Sequence, residues 1–284
     1  MGKIFDALEK ADQALNKKRP ITRSTMPVQD KTDNQEKVVA LIKKDNQILS
    51  RQLDPNLVTY HSPQSVESEL FKVLRTNLLF PSKGKPPRTI LVTSAMPGDG
   101  KSLISSNLAV SIAQGVEEHV LLLDCDIRKP TIHKIFGMQR TNGLSEYLAK
   151  GQELTGYMLK TDIPKLTIVP GGIPPVNPTE LLTSKKMKAL LEEVAGRYED
   201  RYIIIDSPPP SMATETSAIA KLVDGIIIVV KNGKTPKKVV TELIEQIEKE
   251  KLLGIVFNYC DQSANKYYGY GKSYYHSDKK KEKL

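Results

Sequence analysis

The 284 residues, 39% of them apolar, suffice for one large α/β domain with tails, because the apolar deficit falls at the two ends of the chain. The formal net charge of +9 is partly a matter of Lys279, Lys280, Lys281 and Lys283, a solvated basic end that does not by itself require nucleic acid or a membrane surface. Two distant cysteines, Cys125 and Cys260, exclude a disulfide framework and a cysteine-built zinc site and point to a reducing cytoplasm, while residues 1–20 lack the apolar core of a signal peptide and no stretch reaches the roughly 18 apolar residues of a membrane span.

Taken in chain order, Ile4, Phe5, Leu8, Ala11 and Leu15 recur at helical spacing, so residues 4–15 are expected to form a short amphipathic helix. Residues 17–55 are polar apart from an apolar island at 38–42 and read as a flexible arm, which sets a first boundary near residue 60. A helix is predicted after Pro63, capped by Ser62 or Ser65, with Val66, Leu70, Val73, Asn77 and Leu78 at helical intervals and an end near Phe80 and Pro81.

From residue 89 onward, short β-branched runs alternate with helical patterns. Strands are expected at 89–93, 120–124, 166–169, 202–206, 225–231 and 254–258, and helices at 103–113, 178–195, 214–222 and 236–250. Right-handed crossovers place such helices on both faces of a mainly parallel sheet, so the fold expected over residues 61–258 is doubly wound α/β. Residues 259–284 hold six of the eleven tyrosines among Gly, Lys and Ser, with almost no aliphatic residue to build a core, and read as a mobile tail.

The strongest chemical signal is Ala95-Met96-Pro97-Gly98-Asp99-Gly100-Lys101-Ser102, set between a predicted strand and a predicted helix. Gly98 and Gly100 let backbone N–H groups turn toward phosphate, the helix start adds a favourable dipole, Lys101 can reach β- and γ-oxygens, and Ser102 can ligate magnesium. Ala95 stands where the usual GxxxxGK[ST] pattern has its first glycine, so the match is to a relaxed phosphate loop that binds ATP with Mg2+. Two further strands end in acids, Asp124 and Asp126 after one and Asp206 after the other. Ligands of open parallel sheets lie beyond such strand ends, so the three carboxylates are expected at the phosphate site.

The relaxed loop, the Asp124-Cys125-Asp126-Ile127-Arg128 strand end and the Ile203-Ile204-Ile205-Asp206-Ser207-Pro208-Pro209 strand end together resemble the bacterial tyrosine kinases, autokinases of capsule and exopolysaccharide synthesis. Gly143-Leu144-Ser145 with Leu148, and the run from Gly171-Gly172-Ile173-Pro174-Pro175 through Asn177-Pro178-Thr179-Glu180-Leu181-Leu182, fit the same family, so the resemblance spans residues 63–258 and then the tail. It implies a P-loop kinase with nucleotide contacts at Pro97, Gly98, Asp99, Gly100, Lys101, Ser102 and Leu103, and an adenine contact at Asn258. Magnesium would be held by Ser102, Asp126 and Asp206. One of Asp124 and Asp126 would accept the tyrosyl proton, an assignment that spacing leaves open, and Arg128 would bind phosphate or order the acids.

The resemblance also implies autophosphorylation within a cluster matching Tyr267, Tyr268, Tyr270, Tyr274 and Tyr275, and packing into a homo-oligomeric ring through an ExxRxxR helix, which this chain has as Glu69, Lys72 and Arg75. Lys72 keeps the charge and loses the planar fork of arginine. Implied partners are a membrane-embedded polysaccharide co-polymerase as activator and a tyrosine phosphatase, with the kinase peripheral to the inner face of the membrane.

Two other classes share parts of this pattern. ATPase switches that position division sites or segregate plasmids usually carry a lysine where this loop has Met96. A nucleic-acid-binding regulator would suit interleaved tyrosine and lysine, but the tail is short and has no arginine, so no nucleic-acid partner is expected.

Overall fold

The computed structural model describes residues 52–151, 153–196 and 201–260. The expected leading helix and most of the arm, and the tyrosine cluster from Tyr267 to Tyr275, lie outside the described residues. Over the rest the chain forms a seven-stranded sheet in the order β3-β4-β2-β5-β1-β6-β7. The strands are β1 (Thr89–Ser94), β2 (His119–Asp124), β3 (Leu159–Lys160), β4 (Leu166–Val169), β5 (Arg201–Asp206), β6 (Gly225–Lys231) and β7 (Leu252–Asn258). All neighbours pair in parallel except β3, a two-residue antiparallel edge strand that is too short to register as a strand in the sequence.

Alternate residues of the central strands face opposite layers, as the two-residue period of a strand demands. Ile90, Val92, Val120, Leu122 and Ile204 pack with Leu57, Leu78, Ile104 and Leu108. Leu91, Leu121, Leu123, Ile203 and Ile205 pack with Leu144, Met187, Leu190 and Ile219. The first layer is built by α1 (Val58–His61), α2 (Val66–Leu79), α3 (Lys101–Ala113) and α4 (Ile132–Ile135); the second by α5 (Leu144–Lys150), α6 (Pro178–Leu182), α7 (Lys185–Ala195) and α8 (Thr214–Ala220). Helix α9 (Lys237–Gln246) covers Ile228 and Val230 with Leu243. This is the doubly wound α/β fold expected from the alternation of strand and helix patterns.

The differences have local causes. Residues 178–195 form two helices, because Ser184 leaves the helical conformation and caps α7 by accepting from the N–H of Met187 at 3.2 Å. The stretch 236–250 ends its α-helix at Gln246 and continues as a 3₁₀ turn, Lys249–Lys251. Helix α2 is capped by Ser65, whose Oγ accepts from the N–H of Ser68 at 3.2 Å, but Val66, Leu70 and Val73 are exposed, and the stripe packed on the core is the half-buried Phe71 and Leu74 with the buried Leu78 and Leu79. Packing also begins before residue 60. Leu53 and Leu57 are buried in the first core layer, and the N–H and hydroxyl of Thr59 donate to the side-chain and backbone oxygens of Asn107 in α3. No helix among the described residues is long and apolar enough to cross a membrane.

Candidate active site

The phosphate loop connects β1 to α3, and Gly98 and Gly100 adopt φ of 85° and 93°, the left-handed region that favours glycine. The loop is braced by its own aspartate. Asp99 is buried; its Oδ2 accepts from the N–H of Met96 at 2.9 Å and its Oδ1 from the hydroxyl of Thr235 at 2.7 Å. The Asp99 carbonyl accepts from Nδ2 of Asn258 at 2.9 Å, so the end of β7 is tied to the loop as well. Pro97 and Gly98 remain exposed at the tip, and Leu103 is half-buried one residue after Ser102. Ala95 is buried and packs with Ile228 and Val230, which accounts for a methyl group at the position where many phosphate loops have glycine.

Lys101, Ser102, Asp124, Asp126 and Asp206 converge at the carboxyl ends of β1, β2 and β5. Asp124 and Asp206 are register partners across β2 and β5. The ammonium of Lys101 donates to Oδ2 of Asp126 at 2.8 Å and to Ser102 Oγ at 3.2 Å, and lies 3.7 Å from Oδ2 of Asp206. Ser102 donates to Asp206 at 2.6 Å, and Ser105 donates to the other oxygen of Asp206 at 3.2 Å. Oδ2 of Asp124 accepts from the backbone N–H groups of Thr131 and Ile132 at 3.0 and 3.1 Å, while its Oδ1 is buried with no hydrogen-bond partner.

Burial dominates the electrostatics of the cluster. Desolvation, reinforced by the charge of Asp206, pushes the Asp124 carboxyl up to about 8, against the opposing pull of the Ile132 N–H and of Lys101. Desolvation also raises Asp206, opposed by Lys101 and Ser102. For Lys101, burial works against the charge, but Asp206 and Asp126 outweigh it and hold the ammonium above its ordinary value. The site therefore keeps one fixed cation among three carboxylates, two of which, Asp124 and Asp206, are wholly buried and have their affinity for a proton raised.

Ser102, Asp126 and Asp206 bring together oxygen donors only, a set that suits a hard divalent cation such as magnesium. Among the described residues no group of His, Cys, Asp or Glu is arranged as a complete metal cage.

Arg128, expected to bind phosphate or to order the acids, pairs with a carboxylate of α8. Its Nε donates to Oε1 of the fully buried Glu215 at 2.8 Å, and its Nη2 donates to Thr179 Oγ1 at 2.9 Å; Thr179 in turn donates to Glu215 at 2.9 Å. Burial pushes the Glu215 carboxyl up, and the bonds from Arg128 and Thr179 more than reverse this, leaving it below the usual range. The guanidinium thus ties the loop after β2 to the starts of α6 and α8. Thr179 lies in the run already singled out in the sequence, whereas Glu215 carries no motif of its own, the only signal being an acid in the first turn of α8.

The two glycine-containing stretches meet above Asp124. The N–H groups of Leu144 and Ser145 donate to the carbonyls of Pro170 and Gly171 at 2.8 and 3.1 Å, and Glu146 accepts from the N–H groups of Gly143 and Ile173. A methyl group on Gly171 would lie 3.3 Å from Cγ of Asp124, so this junction roofs the carboxylate. Away from the site, Lys72 pairs with Glu69 on the surface of α2 at 2.7 Å, while Arg75 turns inward and donates to the carbonyl of Ser111 at 2.7 Å.

A family model described as ParA, NUBPL iron-transfer P-loop NTPase, matches residues 86–283. The tyrosine-protein kinase YwqD of Bacillus subtilis is 36% identical over 76% of this chain and 90% of its own length, and the putative tyrosine-protein kinase CapB of Staphylococcus aureus is 32% identical over 76% of this chain and 95% of its own. Among solved structures, the crystal structure of the chimerical protein CapA2B2 superposes with a TM-score of 0.65 at 35% identity, covering 72% of this chain and 90% of that one. With its nucleotide-binding phosphate loop and its three strand-end carboxylates, the chain belongs to the bacterial tyrosine-protein kinases, built on a ParA-type P-loop NTPase domain.

Proposed function

We propose that this protein is a tyrosine autokinase that transfers the γ-phosphoryl group of ATP to tyrosines of its own carboxyl-terminal segment, among Tyr267, Tyr268, Tyr270, Tyr274 and Tyr275. The observation that carries the reading is the convergence of Lys101 and Ser102 with Asp124, Asp126 and Asp206 at the end of the phosphate loop. The kinase domain would run from Leu53 to Asn258, with residues 1–52 as an amino-terminal extension.

In the reaction the tyrosyl oxygen attacks the γ-phosphorus, the bond to the β-phosphate oxygen breaks, and ADP leaves. Asp124 is the better proton acceptor of the two candidates. In its ionised form, its unpartnered Oδ1 and its raised affinity for a proton match that task, while Asp126 is paired with Lys101. Magnesium held by Ser102, Asp126 and Asp206 would neutralise charge on the β- and γ-oxygens. Lys101 and the amides around Gly98 and Gly100 stabilise charge spread over the phosphoryl group, where most catalysis of this reaction lies. Arg128 acts at one remove, by fixing the loop that carries Asp126.

Membership of the family that includes the tyrosine-protein kinases CapB and CpsD supports a role in capsule or exopolysaccharide synthesis; the activator would be a membrane-embedded co-polymerase, a phosphatase would reset the tail, and the kinase would work at the inner face of the membrane. A ring built through α2 is supported by the exposed Val66, Leu70 and Val73 beside Glu69 and Lys72; Arg75, bonded to Ser111, would contribute least. Each phosphate adds about 1.5 to 2 negative charges, so a fully modified segment would be expelled from the acidic site and the ring would loosen. Unchanged mass in solution after full phosphorylation would contradict that switch.

The test is intact-mass measurement of the full chain after incubation with ATP and magnesium, with the activator's cytoplasmic segment added. Stepwise phosphate gains, absent in Lys101→Ala and in a chain ending at Tyr259, are the expected result. ATP hydrolysis with no gain in mass would move the function to an ATPase switch.

A further inference from the structure

Asn258, expected to contact the adenine, has its carboxamide engaged elsewhere: Nδ2 donates to the carbonyl of Asp99 and Oδ1 accepts from the N–H of Tyr259, both at 2.9 Å. A methyl group on Gly100 would collide with this same Nδ2. Asn258 is therefore a brace that fixes the phosphate loop to the end of β7. The next residue is differently disposed. Tyr259 has a left-handed backbone at φ 59°, uncommon for a residue other than glycine, and its ring lies against the loop, 3.4 Å from where a Gly100 methyl would stand. The ammonium of Lys231, at the end of β6, lies 4.3 Å from the ring centroid, and the residue is still 56% exposed. A large aromatic ring left this open beside a phosphate loop offers a surface on which a planar base can stack.

We propose that the Tyr259 ring is the stacking platform for the base of the bound nucleotide, an inference that rests on the nucleotide-binding reading of the loop. Every nucleobase has a π-face, so a tyrosine platform holds the base without reading its edge. Lys231 fixes the ring by a cation–π contact on the same side of the fold that carries the loop brace. The phenolic hydroxyl has no part in this role. The platform therefore raises affinity for nucleotides over bare phosphate chains and discriminates weakly between adenine and guanine.

The experiment is calorimetric titration of the full-length wild type, Tyr259→Phe and Tyr259→Ala with MgADP and, separately, with magnesium tripolyphosphate. Tyr259→Phe is expected to bind MgADP within about twofold of wild type and Tyr259→Ala about tenfold more weakly, with tripolyphosphate binding unchanged in both. Because the chain contains no tryptophan, Tyr259→Trp supplies a single indole whose emission should be quenched by MgADP and left unaltered by tripolyphosphate. Wild-type affinity of Tyr259→Ala for MgADP, or an equal loss for both ligands, would overturn the platform and leave Tyr259 as part of the loop's support. Failure of the wild type to bind either ligand would overturn the nucleotide-binding reading itself, and the platform with it.

Discussion

Arg128 and Glu215, 87 residues apart, form an ion pair at 2.8 Å in which the arginine is partly exposed and the carboxylate is wholly buried. The asymmetry predicts an asymmetric response to mutation. Arg128→Ala leaves a buried carboxylate uncompensated and should cost about 2–4 kcal/mol, whereas Glu215→Ala frees a guanidinium that water can reach and should cost less. The double variant should recover part of the Arg128→Ala loss, a coupling readable from denaturant unfolding of the four proteins. Equal and additive losses would mean that the pair is no more than a surface contact.

The two phosphate-loop glycines should respond differently to alanine. Both adopt left-handed φ, so each substitution carries a backbone cost of about 1–2 kcal/mol. A methyl on Gly98 would meet nothing within 4 Å, while one on Gly100 would strike the Asn258 carboxamide. Gly100→Ala should therefore lower the melting temperature further than Gly98→Ala and should disturb nucleotide binding by displacing β7 from the loop. Thermal melts with and without MgADP check both parts; equal melting temperatures would argue against the brace.

The phosphate loop and the three strand-end carboxylates were legible in the sequence because glycine spacing and apolar runs ending in aspartate are local patterns. What holds those residues was not legible, because it comes from distant backbone. The N–H groups at Thr131 and Ile132 that fix Asp124, and Glu215 that fixes Arg128, are set by turns and crossovers with no periodic signal. Helix α2 shows a second limit. It carries two apolar stripes, and periodicity alone does not say that Phe71, Leu74 and Leu78 face the core while Val66, Leu70 and Val73 face outward.

Lys101 is the fixed cation among three carboxylates, so Lys101→Met should act twice. Phosphoryl transfer should fall by about 100-fold or more, since the charge that stabilises the γ-oxygens is gone. The nucleotide-free protein should also melt earlier, because Asp126 and Asp206 lose their partner and the carboxylates are left to repel one another. A variant that lost activity and kept its melting temperature would show that the lysine contributes to the reaction alone.

The raised Asp124 carboxyl has a consequence for stability that can be followed with pH. An unfolded aspartate ionises near 3.8, and in the fold this proton is held up to about 8. A group shifted upward contributes stability that is complete below the unfolded value and is lost as pH rises through the folded one. In a chelator, the nucleotide-free protein should therefore lose stability between about pH 4 and 8, the raised Asp206 adding in the same direction. Asp124→Asn keeps an acceptor for the N–H groups of Thr131 and Ile132 and removes the ionisation. Its melting temperature should exceed that of the wild type by about 3 °C or more at pH 8 and approach it at pH 5. Curves for the two proteins that run parallel across this range would show that Asp124 is already ionised in the folded state near neutral pH.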